Sequence, residues 1–156
     1  VFLLSSTHGA EVGGLAAFRA VVAAYRETDP IATMERQGTL LAEGVNAAAR
    51  EAGIEQHVRA FGRPSCLVFE TRDADGQPSQ AYRTLFLQEL MLGGVLGQSF
   101  VISAAHTDAD VEQTLDAVRT ALPVYRKALE AGSTDGLLHG RPVAPGHRRY
   151  AEPRRI

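Results

Sequence analysis

The chain has 156 residues, a formal net charge of -2, 45% hydrophobic residues and 22% charged ones. That length accommodates one ordinary domain with a real core, and that composition excludes global disorder. The near-neutral balance gives no electrostatic reason to expect nucleic acid or an acidic membrane as partner, and no apolar run approaches the roughly 20 residues that span a bilayer.

Val1 to Leu4 are apolar and read as a buried strand or its end. The polar run Ser5-Ser6-Thr7-His8-Gly9-Ala10-Glu11 follows. It leads into a helix with Leu15, Phe18, Val22 and Tyr25 on one face. Asp29-Pro30 then marks a new start, because Asp29 can cap a helix whose first position suits Pro30. This second helix carries Ile31, Met34, Leu41, Val45, Ala48 and Ala52, and stops at Gly53. His57 to Phe61 and Cys66 to Thr71 flank Gly62-Arg63-Pro64-Ser65 and predict a hairpin, with a loop over Asp73 to Gly76. Ser79 caps a helix bearing Tyr82, Leu85, Phe86 and Leu90, ended by Gly93-Gly94. Phe100 to Ala104 reads as a short strand. Thr107 with Asp110 is a capping box that opens a helix striped by Val111, Leu115, Val118, Leu122, Tyr125 and Leu129, with a kink expected at Pro123 and a stop near Gly132. The remainder is rich in Gly, Pro and Arg and is expected to be irregular. An antiparallel sheet covered by two helices over residues 57 to 131 makes a small α+β domain.

Two features bear on chemistry. A threonine hydroxyl and unpaired amides ahead of a helix form an anion site, since the first helical N–H groups lack partners and the dipole favours negative charge. The plainer reading is that Ser6 or Thr7 is the helix N-cap. The second feature is an absence: against fifteen arginines, the sole lysine is Lys127, far from that segment. Cys66, the one cysteine, cannot form an internal disulfide, which fits a reducing cytoplasm; its apolar strand suggests a buried, inert thiol. His8 and His106 each lie beside a helix start and read as local hydrogen-bonding residues. No spacing of His, Cys and Asp suggests a metal site.

The run from Phe2 to Glu11 with Leu15-Ala16-Ala17 resembles the region after the cofactor lysine of class III aminotransferases that use pyridoxal 5'-phosphate, most closely the glutamate-1-semialdehyde 2,1-aminomutase-like branch. The resemblance continues through Gly62 to Phe69, Pro78 to Glu89, Gly94-Val95-Leu96, Phe100 to Ser103, His106 to Val111, Gly140 to Pro145 and Arg148-Arg149-Tyr150. It departs at Gly9-Ala10-Glu11-Val12, where related classes carry a Gly-Gly-Asn-Pro or Ser-Gly-Asn-Pro turn, and Ala104-Ala105 before His106 is smaller than usual.

This resemblance implies an α/β fold of the fold-type I class, of which the chain is a C-terminal portion. Residues 1–53 end the large cofactor domain with its connecting helices, 54–131 form the small α+β domain with an antiparallel sheet, and 132–156 form a basic tail. It further implies that Thr7, with Ser6 and His8, contacts the cofactor phosphate across a homodimer interface. The Schiff-base lysine then comes from an upstream segment or partner chain, and this chain by itself is inactive. Arg63 is expected to hold the carboxylate of a small amino- or keto-acid substrate, by the bidentate match of guanidinium to carboxylate; its plainer role is an ion pair with Glu70 or exposure to solvent. Lys127 reads as a surface lysine. The implied activity is amino-group transfer, as an aminotransferase (a transferase) or an aminomutase (an isomerase), in the cytoplasm, without nucleic acid or membrane. The rival expectation is a non-catalytic dimerisation or ligand-binding α+β module.

Overall fold

Asp29 marks the first turning point of the chain. It adopts a left-handed backbone (φ 41°), and its side chain accepts a hydrogen bond from the Ala32 amide, with Pro30 directly after it. A short polar side chain tolerates this conformation, and proline loses nothing at a position whose amide has no helical partner. A computed structural model describes residues 11–144. Along them run α1 (Val12–Thr28), α2 (Pro30–Glu51), β1 (Val58–Arg63), β2 (Cys66–Thr71), α3 (Gln80–Leu92), β3 (Phe100–Val101) and α4 (Asp108–Ala131). Among the described residues the architecture is mixed α/β, with four helices and one antiparallel sheet in the order β1-β2-β3.

The sheet buries one face. Val58 and Ala60 of β1, Leu67 and Phe69 of β2, and Phe100 of β3 point into a core closed by α2, α3 and α4. The helices laid against the sheet are α2 and α3, with α4 packed on both of them; α2, whose Leu41, Val45 and Ala48 are buried in the same cluster, thus takes the place at the sheet expected for the last helix. Asn46 of α2 also pairs with Ala60, accepting from the amide and donating to the carbonyl at 2.9 Å each. These two bonds satisfy outward-facing groups of an edge strand, each contributing on the order of 1 kcal/mol. Helix α2 thus shares one core with the sheet, α3 and α4. By contrast, α1 has no buried residue, and its Leu15, Phe18 and Tyr25 are exposed.

Several local expectations change. Helix α1 starts at Val12 with Glu11 as its N-cap residue, and the expected caps Ser6 and Thr7 lie outside the described residues. Ser79 sits at the N-cap of α3, but its side chain makes no capping bond; its backbone amide is instead committed to the Thr71 carbonyl. Strand β3 stops at Val101, because the Ser103–His106 turn takes over the chain: His106 donates from its amide to Ser103 O, and its Nδ1 accepts from the Ser103 amide at 3.0 Å. Helix α4 runs from Asp108 to Ala131 with Pro123 inside it, on an exposed position.

The start of α4 is the expected capping box. Thr107 Oγ1 accepts from the Asp110 amide, and Asp110 Oδ2 accepts from the Thr107 amide at 2.7 Å. The Thr107 amide first, and its hydroxyl second, hold the Asp110 carboxyl below the usual carboxylate range. A depressed folded-state pKa stabilises fully above the unfolded value of about 3.9, and that contribution disappears as pH falls through the lower folded value. The stability gap between the native chain and Asp110→Asn is therefore expected to be widest at neutral pH. It should narrow below pH of about 4 as the native carboxylate protonates. Thermal melts across that range check this, and a gap constant with pH would show that the charge contributes nothing.

Candidate functional site

Of the four residues singled out from the sequence, Ser6, Thr7 and His8 lie outside the described residues. Arg63 is described. It ends β1, opposite Cys66 on β2, and its side chain is exposed. Strand alternation explains this orientation. With Val58 and Ala60 directed into the core, Arg59, Phe61 and Arg63 point to the opposite, open face of the sheet.

The same alternation in β2 corrects the expectation for Cys66. Leu67, Phe69 and Thr71 take the inner positions, so Cys66 faces outward and is exposed, beside Val68 and Glu70. The tight Pro64–Ser65 connection keeps the strands in register. It contains no positive-φ residue; the left-handed backbone sits at Gly62 (φ 112°), where a Cβ would approach Cys66 O to 3.2 Å.

The open face combines cations with exposed apolar groups. Phe61 pairs with Val68 and Cys66 pairs with Val101; Phe61, Val68 and Val101 are 44%, 41% and 59% exposed. The Arg59 guanidinium lies 5.2 Å from the Phe61 ring centroid. Glu70, the cross-strand neighbour of Arg59, is taken by Arg72 Nη2 at 2.5 Å. Arg63 stands opposite Cys66, four residues along β2 from Glu70, so the ion pair Arg63–Glu70 is not formed, and among the described residues the Arg63 side chain has no hydrogen-bond or ion-pair partner. Its fork is available to a carboxylate.

At the far end of the hairpin a polar cleft of about 390 Å³ is lined by Glu55, Gln56, His57, Arg59, Glu70, Arg72 and Gly76. Arg63 is not part of it. The cleft's charges are largely committed: His57 Nδ1 bonds Asp73 O at 2.9 Å, and Arg72 also donates to Gly76 O at 2.7 Å. Nearby, burial pushes the Tyr125 hydroxyl well above the usual tyrosine range, and it donates to Arg72 O at 2.7 Å, anchoring the end of β2 to α4.

A covalent pyridoxal anchor needs an amine enclosed and desolvated beside the cofactor. Lys127 does not fit. It stands exposed on the outer side of α4, next to Arg126 with its i,i+4 partner Glu130. Among the described residues no group of three or more His, Cys, Asp or Glu side chains can hold a metal ion, and no helix is long and apolar enough to cross a membrane. His106 is half-buried, and its Nδ1 bond to Ser103 makes it part of a turn.

No protein-family model matches the chain, and no solved structure matches it.

The residues that sequence reasoning missed are Arg59, Phe61, Val68 and Val101. For the first two a signal existed, since they share parity with Arg63 along one strand. Val68 and Val101 carried none, because an apolar residue in an apolar strand reads as core.

Proposed function

We propose that the chain is the C-terminal portion of a pyridoxal-phosphate enzyme of the class III aminotransferase or aminomutase type. It would belong to a fold-type I homodimer in the cytoplasm that acts on a small amino or keto acid. The reading comes from the resemblance. The structural observation that carries it furthest is Arg63, outward on the open sheet face with an uncommitted guanidinium. In this reading Thr7, with Ser6 and His8, contacts the cofactor phosphate, Arg63 holds the substrate carboxylate, and the covalent lysine comes from an upstream segment or partner chain. The cofactor supplies the electron sink for amino-group transfer; this chain's residues bind and orient.

The test uses the complete assembly, co-expressed with the upstream coding sequence. Visible absorbance of bound pyridoxal phosphate is expected, and its absence would end the proposal. In that assembly Arg63→Gln is expected to raise KM for a carboxylate substrate by roughly tenfold or more, the cost of a lost charge-assisted bond, with a smaller change in kcat. An effect on kcat alone would remove Arg63 from substrate binding.

Two observations favour the second reading, a non-catalytic dimerisation or ligand-binding module. The elements α2 to α4 share one continuous core, and the chain's only lysine faces outward. A cofactor-free but stable dimer of the 156-residue chain, unchanged by co-expression of the upstream sequence, would support it.

A further inference from the structure

Arg63 has neighbours that its place in a hairpin does not reveal. The register sets Arg63 opposite Cys66 and Cys66 opposite Val101, so one outward row across the three strands reads cation, thiol, apolar group. The next outward row, about 7 Å along the strands, pairs Phe61 with Val68. Phe61, Val68 and Val101 are all exposed on this face.

Charge divides the face into two ends. At the far end Arg59 and Arg72 share a cleft with Glu55 and Glu70, two guanidiniums against two carboxylates, and Glu70 is bonded to Arg72. At the turn end, neither the Arg63 row nor the Phe61 row holds an acid or a second cation. A free guanidinium fork recruits a carboxylate. Whatever that carboxylate carries next must then lie on Cys66, which behaves as a small hydrophobe, and on Val101. An apolar group gains there by covering exposed side chains. A second carboxylate there would lose water and meet no donor among these side chains.

We infer that the Arg63 site selects a monocarboxylic amino or keto acid with an apolar side chain, the carboxylate held by Arg63 and the side chain laid across Cys66 and Val101, and that it discriminates against dicarboxylic acids. This rests on the reading of Arg63 as the residue for the substrate carboxylate and adds the substrate class to it. Val101 is the specificity-determining residue, because it stands where the far end of the ligand arrives.

The test titrates the full chain, labelled for amide NMR, with α-ketoisocaproate and α-ketoglutarate at one ionic strength. The two ligands share the keto-acid end and differ in an apolar or an ionised far end. The first is expected to bind at least about fivefold more tightly, with the largest shifts at Arg63, Cys66 and Val101. Arg63→Gln should weaken both ligands by roughly tenfold. Val101→Lys places a cation at the end of the row on an exposed position of the edge strand. It should reverse the preference while leaving the melting temperature near the native value. Equal binding of the two keto acids overturns the inference, and so does a preference that Val101→Lys leaves unchanged. Tighter binding of α-ketoglutarate that Arg59→Gln abolishes also overturns it, since the far carboxylate then reaches across Phe61 to Arg59. In those three cases an effect of Arg63→Gln would still keep Arg63 as the carboxylate residue. Absence of binding, or no effect of Arg63→Gln, removes that role and the inference together. Cofactor absorbance in the complete assembly is read separately, so a missing cofactor with the ligand preference intact ends the enzyme reading alone.

Discussion

Gly38→Ala is expected to cost about 3 kcal/mol or more, even though alanine is the better helix former by about 1 kcal/mol. A Cβ at residue 38 would lie 1.9 Å from the Pro64 carbonyl oxygen, 2.3 Å from its carbon and 2.7 Å from its Cα. All three are backbone atoms, so no rotamer change relieves the overlap. Either α2 moves away from the hairpin or the Pro64–Ser65 turn is displaced. Displacing the turn disturbs the register of Arg63 with Cys66 and the bond from the Ile102 amide to Ser65 O, and with them the open face. Gly13→Ala provides the control, because nothing lies within 4 Å of that position and α1 buries nothing. For a unit of about 100 residues, the Gly38 variant should lose roughly 10 °C or more in melting temperature, whereas the Gly13 variant stays level. Equal melting temperatures would mean that α2 and the hairpin do not approach as closely as described.

What was legible in the sequence was local chemistry. Asp29-Pro30, the Thr107–Asp110 box and the interruption between the two strand segments each specify themselves within a few residues. The phase of β2 was not legible, because Cys66, Leu67, Val68 and Phe69 are all apolar and a period of two carries no information when both faces look alike. Non-local satisfaction was equally hidden. Gly53 marks the end of α2 in the sequence, but only the bonds from Asn46 to Ala60 and the burial of Leu41 and Val45 show that α2 packs against the sheet. At the candidate site, Arg63 was legible as a cation in a hairpin. Its freedom from Glu70 was not, since that depends on the register, which sets Arg63 opposite Cys66 and Arg59 opposite Glu70.

Phe86→Ala is expected to cost about 3–5 kcal/mol, and its effect should reach the open face. Phe86 is fully buried on α3. It meets Phe69 of β2 edge-on at 5.1 Å and Tyr125 of α4 at 6.3 Å, so one ring joins the sheet to two helices. Truncation removes the transfer energy of the ring and leaves a cavity that neighbouring aromatic rings, each held by other contacts, can fill only in part. Phe69 also packs against Phe100 of β3 and under the Arg83 guanidinium at 4.6 Å. Once Phe86 is gone, β2 keeps its pairing to β1 but loses its fixed distance from the helices. Amide exchange should therefore accelerate in β2 and β3 more than in α2, alongside a large drop in denaturant midpoint. Phe86→Leu, which keeps most of the volume, should recover over half of the stability but not the edge-on contacts. A uniform increase in exchange across the chain would instead indicate simple global destabilisation. Faster exchange concentrated in β2 and β3 would show that the geometry presenting Arg59, Arg63 and Val68 is set from beneath, by an aromatic cluster on the opposite side of the sheet.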